Sequence, residues 1–212
     1  MTTVRWGLVA LLLAVAVQSP VEAQLVHVSG AVQASSVSLN RTTAGTASMS
    51  GLGVGGFVRV TKGLAQLELH YEQAGMSASD SDLSQDLVEG EVLLGVRFLP
   101  WLTVKVGPRI RANVTDLGTE RWVLWQGGIR TDARLIRSTV RAHVEVWSIL
   151  SGDVNLNDAF GQGQGLEGGL EVKLFGAFWG GLGYRFDREV LRDGVRTDVT
   201  ERLYLRFGMG GF

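Results

Sequence analysis

From about residue 25 onward the chain alternates apolar and polar residues with a period of two. The segment LAQLELHYEQ places Ala65, Leu67, Leu69 and Tyr71 on one face and Gln66, Glu68, His70 and Glu72 on the other. In LTVKVGPRIRANV, Val104, Val106, Ile110 and Ala112 oppose Lys105, Arg109, Arg111 and Asn113. Successive side chains of a strand point to opposite faces, so this pattern predicts strands with one apolar and one polar side. Ten such strands are expected, at roughly 25–36, 48–60, 64–75, 87–99, 102–114, 121–135, 139–150, 165–175, 177–188 and 199–212. Gly107-Pro108 interrupts the fifth, because proline removes a ladder donor, but the parity is the same on both sides of it. No amphipathic helix is expected after residue 24.

The connections alternate in length. Tight turns are expected at 61–63, 99–101, 136–139 and 175–177, and longer polar loops after the first, third, fifth, seventh and ninth strands. This is an up-and-down meander with its short turns at one end and its loops at the other. The fold class is therefore all-β, a closed antiparallel barrel of ten strands, with eight as the alternative if a weak hairpin is lost.

Turn position sets pairing register. The first tight turn suggests Val60 facing Ala65, which sets Gly55 opposite His70 and Gly53 opposite Glu72. The turn at Pro100 sets Glu91 opposite Arg109 and Glu89 opposite Arg111. The turn at 136–139 sets Arg130 opposite Glu145 and Asp132 opposite His143, and that at Gly176 sets Glu167 opposite Arg185. Opposite charges meeting in three hairpins support a polar interior.

The first residues, MTTVRWGLVALLLAVAVQSPVEAQ, carry Arg5, an apolar run from Leu8 to Val17, and the small-residue ending VEA. They read as a secretory signal peptide, 1–23, ahead of a barrel domain, 24–212. The run is short for a spanning helix, which needs about 20 apolar residues. The chain has no cysteine, so disulfides, thiol chemistry and cysteine metal sites are ruled out. A net charge of −1 gives no global basic field for nucleic acid. GLGVGG, residues 51–56, has the spacing of a dinucleotide-binding turn. That turn needs a helix N-terminus to hold the pyrophosphate, whereas Gly51, Gly53 and Gly55 alternate with Leu52 and Val54 inside a strand. With 29 glycines in the chain, such matches are expected by chance.

The whole mature sequence resembles, in architecture, the small bacterial outer-membrane β-barrels of the porin-like and opacity type. That class has an even strand count, short periplasmic turns, longer outer loops and alternating strands. The resemblance implies export to the outer membrane, contact with its lipid including lipopolysaccharide, assembly by the barrel-assembly machinery and an unknown surface ligand, with neither cofactor nor nucleic acid. It also implies an assembly signal in a terminal aromatic, here Phe212. Phe212 is out of phase with Leu203, Leu205, Phe207 and Met209, which a bulge in GMGG would correct.

A soluble, lipocalin-like carrier has the same alternation with its apolar face inward. Two features favour a lipid-facing barrel: the polar face is charged strand after strand, and aromatics such as Phe98, Trp101, Phe175 and Phe178 sit near strand ends as at a lipid interface. On this reading Leu94, Val96, Val104, Val106, Val144, Val146, Leu170, Val172, Leu182 and Leu205 face outward. The inward acids are Glu68, Glu72, Glu89, Glu91, Asp132, Glu145, Glu167, Glu171 and Asp187. The inward bases are Arg59, Arg97, Lys105, Arg109, Arg111, Arg130, Arg134, Arg141, Lys173, Arg185, Arg202 and Arg206. About eight strands leave room for little beyond side chains, so ten carrying these long residues are expected to be largely filled.

Candidate chemistry is sparse. His143 with Asp132 makes a dyad near the turn end, His70 with Glu72 lacks a matched serine, and His27-Val28-Ser29 opens the first strand far from the outer surface. SASDSD at 77–82 and DVNLND at 153–158 offer oxygen ligands without the EF-hand spacing. The expected protein is a non-enzymatic barrel that displays surface loops. A narrow anion-preferring channel and a surface enzyme acting on lipid or peptide are the alternatives.

Overall fold

The computed structural model describes residues 26–78, 83–136, 139–155 and 159–210. Ten antiparallel strands close on themselves, β1 (Val26–Thr42), β2 (Thr46–Lys62), β3 (Ala65–Ala78), β4 (Ser84–Leu99), β5 (Leu102–Thr115), β6 (Gly118–Ile136), β7 (Val140–Val154), β8 (Phe160–Phe175), β9 (Phe178–Leu191) and β10 (Thr197–Met209). Each strand pairs with its sequence neighbours, and β10 closes on β1 from Gly30↔Met209 to Thr42↔Thr197. The count is ten, not eight. The expected strand cores all form, and only a 3-10 turn, Arg192–Gly194, departs from the strand-and-turn pattern among the described residues.

Two expectations are corrected. The loops expected at the far end are mostly strand: β1 runs to Thr42 and β2 starts at Thr46, and β5 and β6 are separated only by residues 116–117. The alternation continues there with its sense reversed, apolar residues turning inward and polar ones outward, so stretches such as SVSLNRT read as loop. The first hairpin is also tighter than expected. Gly63, at φ 59°, and Leu64 form a two-residue turn that closes Lys62 on Ala65, so Gly55 faces Glu72 and Phe57 faces His70. The slip of two residues leaves every side chain on its expected face. Glycine is needed in the GLGVGG stretch for contact with β3, since a methyl group at Gly55 would collide with the Tyr71 carbonyl oxygen.

The outer face carries an apolar belt. Leu94, Val96, Val104, Val106, Val144, Val146, Leu170, Val172, Leu182 and Leu205 are all exposed on it. On β4 and β5 the belt runs from Phe98 to Val88 and from Leu102 to Val114, about 25 and about 30 Å along the axis at about 3.3 Å per residue and a tilt of about 40°. Aromatics mark both rims. Phe98, Trp101, Phe175 and Phe178 lie at the turn side, with Phe178 stacked 5.7 Å from Phe207, and Trp125 and Tyr184 lie at the other. Beyond that second rim the outward residues turn polar: Ser36, Ser38 and Asn40 on β1, Ser48 and Ser50 on β2, Arg121 on β6 and Arg188 on β9.

Candidate functional site: the charged lumen and its two ends

The lumen is built in three layers, because the inward residues of every strand change character along its length. The central layer is a lattice of buried ions from β3, β4, β5, β9 and β10. Arg109 donates to Asp187 at 2.7 Å and to Glu89 at 2.8 Å, and Arg111 to Glu89 at 3.0 Å and to Glu189 at 2.9 Å. Arg202 donates to Asp187 at 2.6 Å and to Glu89 at 2.9 Å, and its Nε lies 3.0 Å from Glu72. Arg185 reaches Glu91 at 2.5 Å and Asp187 at 3.1 Å. Arg109 on β5 and Asp187 on β9 stand on opposite walls, so these bonds cross the lumen. The side chains of Arg109 and Asp187 are wholly buried. In such surroundings each ion depends on its partners, because an unpaired buried charge costs several kcal/mol (about 3–5 when one partner is removed).

Toward the turns the charges alternate with aromatic and polar anchors. Glu68 accepts from Arg59, from Gln66 at 2.5 Å and from Lys105 at 2.9 Å, and Lys105 also reaches Glu145 at 2.6 Å. Arg130 holds Asp132 at 3.0 Å, and Arg141 pairs with Glu171. Glu167 accepts from the Tyr204 hydroxyl at 2.7 Å and from Arg206 at 3.0 Å. Phe57 stacks 5.4 Å from His70, and the Trp179 indole donates to the Gly210 carbonyl at 3.0 Å.

Toward the other end the inward positions carry two apolar clusters beside the charges. Val37, Leu39, Ala74, Met76 and Leu87 form one cluster, and Trp122, Leu124, Val154 and Leu191 the other. Above them Arg196, from the β9–β10 connection, donates to Glu120 on β6 at 2.6 Å and to Asp198 at 2.8 Å, with its guanidinium 5.4 Å from the Trp122 ring. Burial disfavours the Arg196 charge, but hydrogen bonds to Asp198 and Glu120 outweigh it and raise this guanidinium above its ordinary value. Two cavities, of about 20 and 10 Å³, share a wall of His70, Glu91 and Arg185. Each holds about one water.

The residues singled out in the sequence meet in part as register places them. Glu89 lies opposite Arg111 and Glu91 opposite Arg109, Arg130 opposite Glu145, Asp132 opposite His143, and Glu167 opposite Arg185. Arg111 keeps Glu89, at 3.0 Å, while other side chains take partners across the lumen, along their own strand or on the next one. Arg109 Nε is 3.5 Å from Glu91 but binds Asp187 more closely, and Arg130 is 3.8 Å from Glu145 but closer to Asp132. His143 leaves Asp132 for Glu167 at 3.3 Å and Glu171 at 3.7 Å, so that dyad does not form. His70 likewise turns to Glu68, at 3.2 Å, and away from Glu72. His27 is exposed at the turn end, opposite Thr61. Phe212 and residues 1–23 lie outside the described residues, as do 79–82 of the first acidic stretch and 156–158 of the second. Glu189, Glu120, Arg196, Asp198 and Arg41 were missed because they fall in stretches read as loop. The signal was present, since Asp187, Glu189 and Leu191 continue one alternation.

No family model matches the chain, and no curated protein matches it. Among solved structures, the β domain of the Bordetella autotransporter BrkA is 12% identical over 84% of this chain and 98% of its own, at a TM-score of 0.48. Neisserial surface protein A is 10% identical over 86% of this chain and 97% of its own, at a TM-score of 0.39. An anion-selective porin from Comamonas acidovorans is 10% identical over 77% of this chain, at a TM-score of 0.35, and the chain spans 55% of that porin's length. These are likenesses of fold to bacterial outer-membrane barrels. The chain's own faces define its class: a closed up-and-down antiparallel barrel with an apolar exterior belt and a charged interior.

Proposed function

We propose that this protein is a non-conducting, non-enzymatic barrel of the bacterial outer membrane that stiffens the envelope and carries a short β-sheet rim above the bilayer. The observation that carries this reading is the central ion lattice, where Arg109, Arg111, Arg202, Asp187 and Glu189 leave almost no accessible surface. An anion channel needs a continuous wet path, and the two cavities that touch this layer are water-sized. An enzymatic reading finds little support in the histidines, because among the described residues neither His70, bonded to Glu68, nor His143, bonded to Glu167, has a hydroxyl hydrogen-bonded to its ring to serve as nucleophile. In this proposal residues 1–23 direct export, the apolar belt meets the lipid, lipopolysaccharide included, the assembly machinery reads Phe212, and the rim meets the surface ligand.

Planar-bilayer conductance tests it. The purified protein is expected to give no stable stepped openings. Anion-selective steps whose size changes when Arg109 is truncated would overturn the plugged-barrel reading.

A further inference from the structure

The interior carries more bases than acids, and the excess has a place. In the central layer every arginine has a carboxylate within ion-pair distance. Among the described residues no carboxylate lies within that distance of Arg97, Arg134 or Lys173. These three sit on β4, β6 and β8, on the lumen side by alternation, at the turn end of the barrel. Arg134 and Lys173 are exposed and Arg97 is half-buried. Arg134 also lies directly opposite Arg141, an arrangement that like charges disfavour. β5 stops pairing at Leu102↔Thr131, so β6 carries Arg134 past the end of its neighbour, into the open mouth.

We propose that this mouth is a docking surface for an acidic polypeptide segment of a partner protein, held by Arg97, Arg134 and Lys173. Charge complementarity sets the sign of the partner. Its form follows from placement: β4 and β8 are four strand spacings apart, roughly 19 Å along the wall at about 4.8 Å per spacing. One phosphate or carboxylate does not bridge them, whereas an extended chain of about six residues, at about 3.3 Å each, does. Lipid headgroups lie on the other side of the wall, beyond the exposed Phe98, Leu99, Leu135 and Phe175. The occupant therefore enters from the aqueous side. This docking does not depend on whether the lumen conducts.

The experiment is fluorescence anisotropy of a labelled ten-residue glutamate peptide with the full chain folded in detergent. At low salt the peptide is expected to bind, and to weaken as salt shortens the screening length. The triple variant Arg97→Gln, Arg134→Gln, Lys173→Gln is expected to lose about tenfold or more in affinity, because it removes three ion pairs at once. The control Arg121→Gln, Arg188→Gln, on the outward face of the far end, is expected to bind as the parent does. If the triple variant does not fold, the single exposed charge reversal Arg134→Glu serves in its place and is expected to weaken the peptide alone. Undiminished binding by the mouth variants, or loss in the control, would overturn the proposal. Tighter binding of polyphosphate than of the peptide would overturn it in favour of a phosphate polymer.

Discussion

Asp187 is the residue on which the central layer turns. It takes hydrogen bonds from Arg109 at 2.7 Å, Arg202 at 2.6 Å and Arg185 at 3.1 Å, and its side chain is wholly buried. Truncating it takes one carboxylate from three buried guanidiniums at once, leaving Arg109 on Glu89, Arg202 on Glu89 and Glu72, and Arg185 on Glu91. Asp187→Ala is therefore expected to cost about 3–5 kcal/mol. Glu201, on the outer face, accepts one bond from the Tyr184 hydroxyl at 3.1 Å, and Glu201→Ala is expected to cost about 1 kcal/mol or less. Urea unfolding of both variants in lipid vesicles separates the two outcomes, and equal midpoints would deny the lattice its structural role. Which residues share a wall with Asp187 was readable from alternation. Which of them it binds was not, because the Arg109 contact spans the lumen, and cross-lumen distance depends on closure and strand tilt, which no hairpin encodes. His143 departs from its register partner Asp132 for a different reason: Glu167, to which it hydrogen-bonds, lies diagonally across on the adjacent strand β8, where His143 faces Gly169, and a diagonal choice between two neighbouring strands is not set by the β6–β7 turn.

Among the strands, the hairpins differ in how completely they zip. β1 and β2 pair from Val26↔Lys62 to Thr42↔Thr46, whereas β7 and β8 pair only from Val140↔Val172 to Ser148↔Gln164. Past that point each bulges against its other neighbour, β7 beside Trp125 and Gln126 and β8 between Phe160 and Gln162. Local stability follows the backbone bonds and packing that hold a segment. Amides in the unpaired outer part of this hairpin are expected to exchange hydrogen sooner than those of the outer β1–β2 hairpin, by mass spectrometry on the folded protein. Equal protection would mean that packing of Ile149 and Phe160 against the Trp122 cluster fully compensates for the lost ladder. Strand number and order were legible because alternation survives every turn. The outer ends were not, because there the apolar residues, Val37 and Leu39 for example, switch to the inner face, and hydroxyl-rich outward positions imitate a loop.

Across the whole molecule, on the proposed outer-membrane reading, this switch of faces marks where lipid ends and water begins. Val106 and Ser50 both point outward, Val106 on β5 within the belt and Ser50 on β2 beyond its rim, among the polar residues. A soluble barrel treats the two positions alike, since both face water. A lipid-embedded one does not: an arginine near mid-depth costs about 2–4 kcal/mol, falling toward zero at the interface. Val106→Arg is expected to lower the yield of folded, heat-modifiable protein in membranes, and Ser50→Arg to leave it unchanged. The comparison is informative because neither residue touches the ion lattice, so failure of Val106→Arg reports the surroundings of the belt and not the filling of the lumen. Equal tolerance at both positions would place the belt in water and remove the membrane from the account.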